Sequence, residues 1–420
     1  MSNFVVVGGG AAGLEMVTRL ASSFAGKSDH TVTLVEPSSH HLWKPRLHEI
    51  AAGTFDNELD SVAFRLHAAC HGYQYVQARM SGLDRANKTI TVSTEFSPEQ
   101  TGLSQQLTLD YDYLVIAVGA ISNDFKIPGV SDHCLFLDSA SQAEKAWEQM
   151  KQMLANGGSH RVSIVGAGAT GVELAAEWAK VSKQLNRYQN GTQLSITLIE
   201  AADRVLPASA ECMSAKVLKK LQKQGVNVRL NTKVQRAEAD RIVTENEVIL
   251  ADLQIWAAGI RCPDWIANLD GLESNRINQL KVQPTLQTTL DDSVFVIGDS
   301  AECPQEDGSI VPPRAQAANQ AANQAATHLA KQFKRLVKGK ELKPFVFKDG
   351  GMVVALGHDY AVGALMNDKV VLRGRYVRRL YDTIFRLHQR VIFGWFRVSA
   401  LVVLKRVKGL LNPYYKGSWS

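Results

Sequence analysis

Short runs rich in apolar residues recur along this chain and are separated by longer mixed segments. Two of these runs, Phe4–Val7 and Val162–Val165, lead directly into glycine-rich turns. The other runs are Thr31–Val35, Tyr111–Val118, Leu194–Ile199, Leu253–Trp256 and Val294–Ile297. Short apolar runs bounded by turns are typical of strands buried inside a parallel sheet. Together with a helix predicted over Ser139–Ala155, they predict an α/β protein.

The two glycine-rich turns share one spacing of glycines and begin 158 residues apart. The glycines are Gly8, Gly10 and Gly13 in the first turn and Gly166, Gly168 and Gly171 in the second. Each turn joins a predicted strand to a predicted helix, which is the setting of a dinucleotide-binding motif. The glycines allow a tight turn, close approach of a pyrophosphate and packing of helix on strand, and the helix N-terminus binds the phosphates. A chain that binds two dinucleotides most simply moves electrons from one to the other.

An acidic residue ends the second strand of each motif, Glu36 in the first and Glu200 in the second. A carboxylate at this place accepts hydrogen bonds from an adenosine ribose and repels a 2′-phosphate. Glu200 therefore favours NADH over NADPH. Arg204 lies close enough in sequence to bind a phosphate instead, so the preference stays open at this stage.

Small residues mark other strand ends, where a cofactor could lie against the backbone. They are Ala117 and Gly119 after one strand, and Ala258 and Gly259 after another. A further strand ends in Asp299. After Pro312–Arg314, a helix begins with Ala315–Gln320, in which Gln316 and Gln320 share one face. An Ala-rich helix that only packs well would show the same pattern.

The net charge of +6 is concentrated at one end of the chain. Residues 371–420 hold eleven Lys and Arg and one acid, while the rest holds 36 basic and 40 acidic residues. This distribution argues against a nucleic-acid-binding body. The length suits two or three domains. The first predicted strand begins within three residues of the start, so no signal peptide is expected.

The basic tail has a helical pattern with two faces. On one helix, Arg379, Arg386, Arg390 and Arg397 would lie within about 40° of one another. The opposite face would carry Leu380, Ile384, Leu387, Val391, Trp395, Val398 and Val402. The apolar run is too short to span a bilayer, so vectorial proton pumping is not expected. A helix of this kind lies flat on an anionic membrane, or alternatively packs on the protein or a second subunit.

Cysteine and histidine spacing predicts neither a metal site nor a disulfide framework. The five cysteines form no CxxC pair, and the histidines of the 40–49 loop make no convincing ligand set with Glu49. Residues 37–53 contain no cysteine. A thiol-disulfide reductase of this fold needs a redox cysteine pair shortly after the first nucleotide unit. That class is therefore disfavoured.

The chain resembles the flavin-dependent pyridine-nucleotide oxidoreductases, and within them the type II (non-proton-pumping) NADH dehydrogenases, which are NADH:quinone oxidoreductases. The resemblance runs nearly end to end. It is carried by the two glycine motifs with their acids, by the small-residue strand ends, and by these segments: Trp43–Gly53, Gly298–Asp299 and Pro312–Gln320. The run at Ala315–Gln320 and the basic tail point to the quinone-reducing branch, and the sequence departs from the pattern at Asn319.

The resemblance implies two Rossmann-like dinucleotide-binding domains and a C-terminal amphipathic membrane-anchoring segment. The expected boundaries are 1–120 and 263–375 for the FAD domain, 121–262 for an inserted NADH domain, and 376–420 for membrane attachment. FAD, held non-covalently, would contact Glu36, Asp299, Lys44 and the helix at Ala317, and NADH is the substrate of the second domain. Glu173 would lie near the nicotinamide. Gln316 and Gln320 would border the pocket of a membrane quinone, either ubiquinone or menaquinone.

The same resemblance implies a peripheral protein on the cytoplasmic face of the inner membrane, and it leans toward a homodimer. Other functions remain open on the same fold. A sulfide:quinone oxidoreductase would need cysteines near the flavin, and residues 304–420 contain none. A soluble ferredoxin reductase leaves the tail without a purpose. A non-catalytic, NADH-sensing flavoprotein docked on a membrane is the alternative from a different class.

Overall fold

The structure is a computed structural model of the whole chain, and it describes residues 2–24, 29–55, 60–94, 105–188, 193–311, 315–365 and 370–411. Within these ranges the side chains of 184–188, 315–319, 406 and 408–411 are not described. The chain divides into two compact units. Unit 1 comprises Met1–Trp43, Asp60–Ile121 and Arg261–Asp349, and unit 2 comprises Lys44–Leu59, Ser122–Ile260 and Gly350–Ser420.

The described residues form ten α-helices, which we number in chain order. They are α1 (Ala11–Phe24), α2 (Leu47–Ala51), α3 (Phe64–His71), α4 (Val130–His133), α5 (Ala140–Ala155), α6 (Ala169–Tyr188), α7 (Glu211–Gln224), α8 (Ala315–Leu336), α9 (Arg375–Phe393) and α10 (Trp395–Leu411). Short 3₁₀ turns occur at Lys44–Arg46, Asp264–Ile266 and Gly298–Ser300. The predicted helix over Ser139–Ala155 is confirmed as α5, because Ser139 caps it and Gln142 completes a capping box.

The strands of the described residues are also numbered in chain order. They are β1 (Ser2–Val7), β2 (His30–Val35), β3 (His40–His41), β4 (Val62–Ala63), β5 (Gln74–Val76), β6 (Arg79–Asp84), β7 (Thr89–Thr94), β8 (Gln105–Asp110), β9 (Tyr113–Ile116), β10 (Ile121–Ser122), β11 (Leu135–Phe136), β12 (Ser159–Val165), β13 (Gln193–Ile199), β14 (Asn227–Arg229), β15 (Val234–Glu238), β16 (Arg241–Thr244), β17 (Val248–Leu250), β18 (Leu253–Trp256), β19 (Ile260–Arg261), β20 (Leu280–Lys281), β21 (Val294–Val296), β22 (Ala301–Glu302), β23 (Met352–Ala355), β24 (Ala361–Leu365) and β25 (Val370–Gly374).

Unit 1 is built on a five-stranded parallel sheet with the order β21-β9-β1-β2-β5. The sheet is buried because its strands are apolar on both faces, as the uninterrupted runs predict. Phe4 of β1 lies at the centre of its core and packs its ring against Phe24, Tyr113 and Phe333. Helices α1 and α8 pack against each other, and Thr327 donates a hydrogen bond to Glu15. The first Rossmann-like unit is confirmed.

Unit 2 repeats this arrangement with a second parallel sheet of order β11-β18-β12-β13-β14. Strands β12 and β13 pair along their whole lengths, from Ser159 opposite Gln193 to Val165 opposite Ile199. An antiparallel sheet of β23, β24 and β25 belongs to the same unit. Helix α9 packs on that sheet. The second Rossmann-like unit is therefore also confirmed.

The basic tail forms two helices instead of the single helix that the sequence pattern predicted. Gly394 adopts φ +79° and ends α9, and α10 begins at Trp395. Arg397 therefore lies on a different helix from Arg379, Arg386 and Arg390, and the common face of four arginines is wrong. No helix among the described residues has the length and apolar character required for a membrane span.

Candidate dinucleotide sites and a buried charged cluster

The first glycine turn of unit 1 has room only for glycine at two of its positions. Gly8 has φ +101°, and a Cβ there would lie 2.5 Å from the carbonyl oxygen of Ala117. A Cβ on Gly13 would overlap the carbonyl oxygen of Gly8. Gly10 is different, because nothing lies within 4 Å of the position of its Cβ. The turn is thus closed where strand and helix meet and open where a pyrophosphate would approach α1.

Glu36 at the end of β2 is turned back onto this glycine turn. Its Oε2 accepts a hydrogen bond of 2.6 Å from the amide of Gly9, and its Oε1 accepts one of 2.9 Å from the amide of Ser38. The carboxylate is therefore fixed at the mouth of the turn. Each of its oxygens keeps a further lone pair for a ribose hydroxyl.

The second glycine turn, in unit 2, reproduces this geometry. Gly166 has φ +102°, and a Cβ there would lie 2.7 Å from the carbonyl oxygen of Ala257. A Cβ on Gly171 would overlap the carbonyl oxygen of Gly166, whereas nothing lies within 4 Å of a Cβ on Gly168. The two turns are therefore the same structural device in the two units, and residues of both fit a bound dinucleotide.

Glu200 occupies in unit 2 the place that Glu36 has in unit 1. Its Oε2 accepts a hydrogen bond of 2.7 Å from the amide of Ala167, and its Oε1 accepts one of 3.0 Å from the amide of Ala202. The side chain of Arg204 is directed elsewhere, because its guanidinium donates to Glu211 (3.4 Å) and to the carbonyl of Pro207 (3.1 Å).

Several other predicted cofactor residues of unit 1 lie around one edge of the sheet. Ala117 is buried, and Gly119 donates its amide to Oγ of Ser300 at 2.9 Å. Asp299 is half-buried in the 3₁₀ turn before Ser300. A Cβ on Gly298 would come within 3.5 Å of Ala12 on α1 and 3.7 Å of an alanine on α8. This turn therefore lies against both helices, close to the first turn of α1.

For the remaining predicted residues the structure gives the exposure and the element on which each lies. Lys44 is exposed in a 3₁₀ turn. In unit 2, Ala258 is half-buried, and Gly259 has φ +65° with a Cβ position occupied by the ring of Phe125. Gln320 is half-buried on α8. Gln316 and Ala317 belong to the same helix, but their side chains lie outside the described residues, as does the segment Pro312–Arg314.

Glu173, on the second turn of α6, is part of a buried charged cluster in unit 2. Its Oε1 accepts a hydrogen bond of 2.9 Å from the amide of Ala355, and its Oε2 lies 3.3 Å from Nδ1 of His48. Burial raises the pKa of Glu173 well above its usual range, and burial lowers the pKa of His48 to about 4. Burial therefore shifts both groups of this contact toward their uncharged forms.

On the other side of His48 lies Glu49, which is ionised. Burial opposes its charge, but Arg46 and Arg378 hold the pKa of Glu49 below its usual range. Arg378 approaches Glu49 at 2.9 Å and Arg46 at 3.4 Å, and Nε2 of His48 is 3.9 Å from Glu49. Both arginines also reach Asp382, which is partly exposed. The cluster thus extends from the partly exposed carboxyl group of Asp382 to the buried carboxyl group of Glu173.

Sequence reasoning missed Arg46, His48, Glu49 and Arg378 as members of a site. The polar segment around residues 40–49 suggested only a metal site, which its spacing disfavoured, and a flavin contact at Lys44. Arg378 is 329 residues away from Glu49, and no spacing rule connects them. One turn beyond Glu173, burial also raises the pKa of Glu177 to about 7.

None of the cysteines that the structure describes forms a disulfide bond. Burial raises the pKa of Cys134 to about 12 and that of Cys303 to about 11, which is the opposite of what a reactive thiolate requires. Among the residues that the structure describes, no group of three His, Cys, Asp or Glu side chains could hold a metal ion.

Comparison with known proteins gives the same picture. Residues 2–325 match the family model of the pyridine nucleotide-disulphide oxidoreductases. A type II NADH:quinone oxidoreductase from Haemophilus influenzae is 38% identical over 99% of this chain and 100% of its own length.

Two solved structures are similar in fold at low sequence identity. NDH2 from Plasmodium falciparum, in complex with NADH, superposes with a TM-score of 0.81 at 18% identity and covers 100% of this chain and 99% of its own. The sulfide:quinone oxidoreductase from Aquifex aeolicus gives a TM-score of 0.76 at 16% identity over 99% and 96% of the two chains. The fold by itself therefore does not separate these two activities.

Proposed function

The chain belongs to the pyridine nucleotide-disulphide oxidoreductase family, and within it to the type II NADH:quinone oxidoreductases, and we propose that it passes two electrons from NADH through FAD to a membrane quinone without pumping protons. Identity of 38% over the full chain to a relative of that activity carries this conclusion. The two matching glycine turns, each with its clamped acid, supply a place for each dinucleotide.

The residues of unit 1 fit FAD. The open backbone at Gly10 and the N-terminus of α1 would bind the pyrophosphate, Glu36 the adenosine ribose, and Asp299 the ribityl region. When bound, FAD accepts a hydride from a nicotinamide and gives two electrons to an acceptor. The backbone turns at Gly119 and Gly298 hold the surrounding sheet edge in a fixed shape, so that the chain's contribution is positioning.

The residues of unit 2 fit NADH. Glu200 would accept hydrogen bonds from the adenosine ribose, and its charge would repel a 2′-phosphate. The engagement of Arg204 with Glu211 and Pro207 supports NADH over NADPH, because its two terminal nitrogens already donate to these groups. We propose that Glu173 lies near the nicotinamide, and that Glu173 and water are the candidate proton donors in quinone reduction.

For the quinone we propose a pocket bordered by Gln316 and Gln320 on α8, with Ala317 close to the flavin. The support is the family pattern and the packing of α8 on the Gly298–Ser300 turn. In rapid mixing, Gln316→Ala should slow reoxidation of the flavin by quinone much more than its reduction by NADH. Equal slowing of both half-reactions would remove Gln316 from the quinone side.

We further propose that the tail docks the protein on an anionic membrane. Its outer surface carries apolar side chains that the fold leaves exposed: Leu380, Leu387, Trp395, Phe396, Val403 and Leu404. Phe396 is 89% exposed, and Arg390 lies over the ring of Trp395 at 4.6 Å. Exposed aromatic and aliphatic side chains beside arginines suit a headgroup layer.

Two further proposals rest on the family resemblance alone. They are attachment at the cytoplasmic face of the inner membrane, and a homodimer. Light scattering of the detergent-solubilised protein tests the second, and a mass of one chain would reject it.

The function is tested on the purified protein by its absorbance spectrum, then by anaerobic NADH, then by a soluble quinone. A yellow protein should bleach with NADH and recover with quinone, faster than with oxygen. A flavoprotein that bleaches with NADH but turns over slowly with every quinone would be the sensing alternative. Bleaching by sulfide in preference to NADH would favour the sulfide:quinone oxidoreductase.

A further inference from the structure

Gly9, at the centre of the first glycine turn, is held through both of its backbone polar groups. The amide of Gly9 donates to Glu36, as described above. The carbonyl oxygen of Gly9 accepts a second hydrogen bond, of 2.9 Å, from Nδ1 of His41. His41 lies on β3 and is 4% exposed.

The second glycine turn has the same two contacts, made by different groups. The amide of Ala167 donates a hydrogen bond to Glu200. The carbonyl oxygen of Ala167 accepts one of 2.8 Å from the backbone amide of Leu206. Leu206 has φ +49°, a left-handed conformation that a leucine rarely adopts. Because Leu206 adopts a strained conformation while it donates to the carbonyl of Ala167, we regard this hydrogen bond as a specific part of the turn.

A trans peptide group points its C=O and the following N–H in opposite directions. Fixing the carbonyl of Gly9 therefore fixes the amide of Gly10, which points away from His41. Gly10 is the residue whose Cβ position is open. In unit 2, fixing the carbonyl of Ala167 likewise fixes the amide of Gly168, whose Cβ position is also open.

We propose that His41 is a positioning residue for FAD, because its Nδ1–H fixes the Gly9 carbonyl and so aims the Gly10 amide at the pyrophosphate. The inference rests on the proposed FAD site of unit 1. Burial lowers the pKa of His41 to about 4, so the ring is neutral at neutral pH. Because a carbonyl can only accept, the ring proton of this neutral histidine lies on Nδ1.

The neighbouring side chains explain why this position is glycine in the first turn and alanine in the second. A Cβ on Gly9 would overlap the ring of Phe64 and lie 2.8 Å from Glu36. The His41 ring meets the same phenylalanine edge to face at 6.3 Å. Strand β3 pairs with β4, which leads directly into Phe64, so one two-stranded antiparallel sheet supplies both the donor and the packing partner.

The test is the affinity of the apoprotein for FAD, measured by quenching of flavin fluorescence. Leucine and asparagine have the same branched shape, but only asparagine can place a donor where Nδ1 stands. His41→Leu should raise the dissociation constant of FAD about tenfold or more, because it leaves a buried carbonyl unpaired. His41→Asn should stay near the wild-type value, and both should keep the wild-type KM for NADH.

His67 provides the matched control, since it is buried in the same unit and its Nδ1 pairs with the hydroxyl of Tyr73 at 2.9 Å. His67→Leu should leave the FAD affinity unchanged. Equal FAD affinity of His41→Leu and wild type overturns the proposal, and so does an equal loss in His41→Asn or in His67→Leu. If His41→Leu does not fold, His41→Asn is compared with His41→Ala, because both lose the ring and only asparagine keeps a donor. Wild-type apoprotein that does not bind FAD would instead refute the proposed function.

Discussion

Oε2 of Glu173 lies 3.3 Å from Nδ1 of His48, and burial raises the pKa of Glu173 and lowers that of His48 to about 4. The other oxygen of Glu173 accepts a hydrogen bond from the amide of Ala355. Beyond His48 stands Glu49, whose charge is balanced by Arg378 and Arg46. The cluster therefore places a carboxyl group whose pKa is raised close to one whose pKa is lowered, within a single buried site.

Glutamine in place of Glu173 should abolish its proton chemistry and keep its shape. In Glu173→Gln the side-chain oxygen can still accept a hydrogen bond from the amide of Ala355, while the acidic proton is lost. If Glu173 donates a proton, turnover with quinone should fall roughly 100-fold, while anaerobic reduction of the flavin by NADH should be little changed. Glu177→Gln, one helical turn away, is the control. Unchanged quinone turnover in Glu173→Gln would remove the residue from proton delivery.

Arg378 should matter because it balances the charge of Glu49. Arg378→Met leaves a buried carboxylate with one partner fewer, and should lower the free energy of unfolding by about 3–5 kcal/mol. The double variant Glu49→Gln/Arg378→Met removes both charges and should recover at least half of that loss. Urea denaturation measures the three proteins. A double variant no more stable than Arg378→Met would show that Arg378 acts through its packing instead.

His48 should make the stability depend on pH in the acid range. Its pKa is about 4 when folded and near 6.5 when unfolded, so below pH 6.5 the unfolded chain binds more protons. Stability is therefore lost as the pH falls from 6.5 toward 4. Between pH 7.5 and pH 5 the wild type should lose about 2 kcal/mol more than His48→Gln does. Parallel pH profiles of the two proteins in urea denaturation would contradict a buried neutral His48.

Deletion of the tail should have different effects when it starts at Val377 and when it starts at Gly394. Val377, Arg378, Tyr381 and Phe385 are buried in unit 2, so a deletion that starts at Val377 removes part of its core. Deletion of 377–420 should destabilise unit 2 by exposing the charged cluster.

Deletion of 394–420 removes Trp395 and Phe396 and leaves α9 in place. This shorter protein should still be reduced by NADH but should bind anionic vesicles much more weakly in co-sedimentation. Neutral vesicles provide the control for the charge contribution. The double variant Trp395→Ser/Phe396→Ser should weaken binding in the same direction, since both side chains are exposed. Undiminished vesicle binding by the shorter protein would reject the tail as the docking surface.

The amino-acid sequence by itself determined the two dinucleotide units, because their signals are local. An apolar strand, a glycine turn and an acid at the end of the next strand all lie within about 35 residues, and backbone sterics permit few other structures for them. Gly8 and Gly166 carry a positive φ, and Glu36 and Glu200 lie at the mouths of their turns. Capping by Ser139 likewise made α5 predictable.

Only the tertiary structure decided the rest. The pairing of Arg378 with Glu49, and of His41 with the carbonyl of Gly9, depends on which distant segments pack together, and periodicity carries no such information. The tail shows the same limit. Its pattern correctly indicated an amphipathic helix, but the packing of α9 on the antiparallel sheet selected the buried stripe, and the backbone of Gly394 ended the helix. The charged cluster of Glu49, Glu173 and Arg378 forms because distant segments of the chain bury these side chains together, which no local pattern encodes.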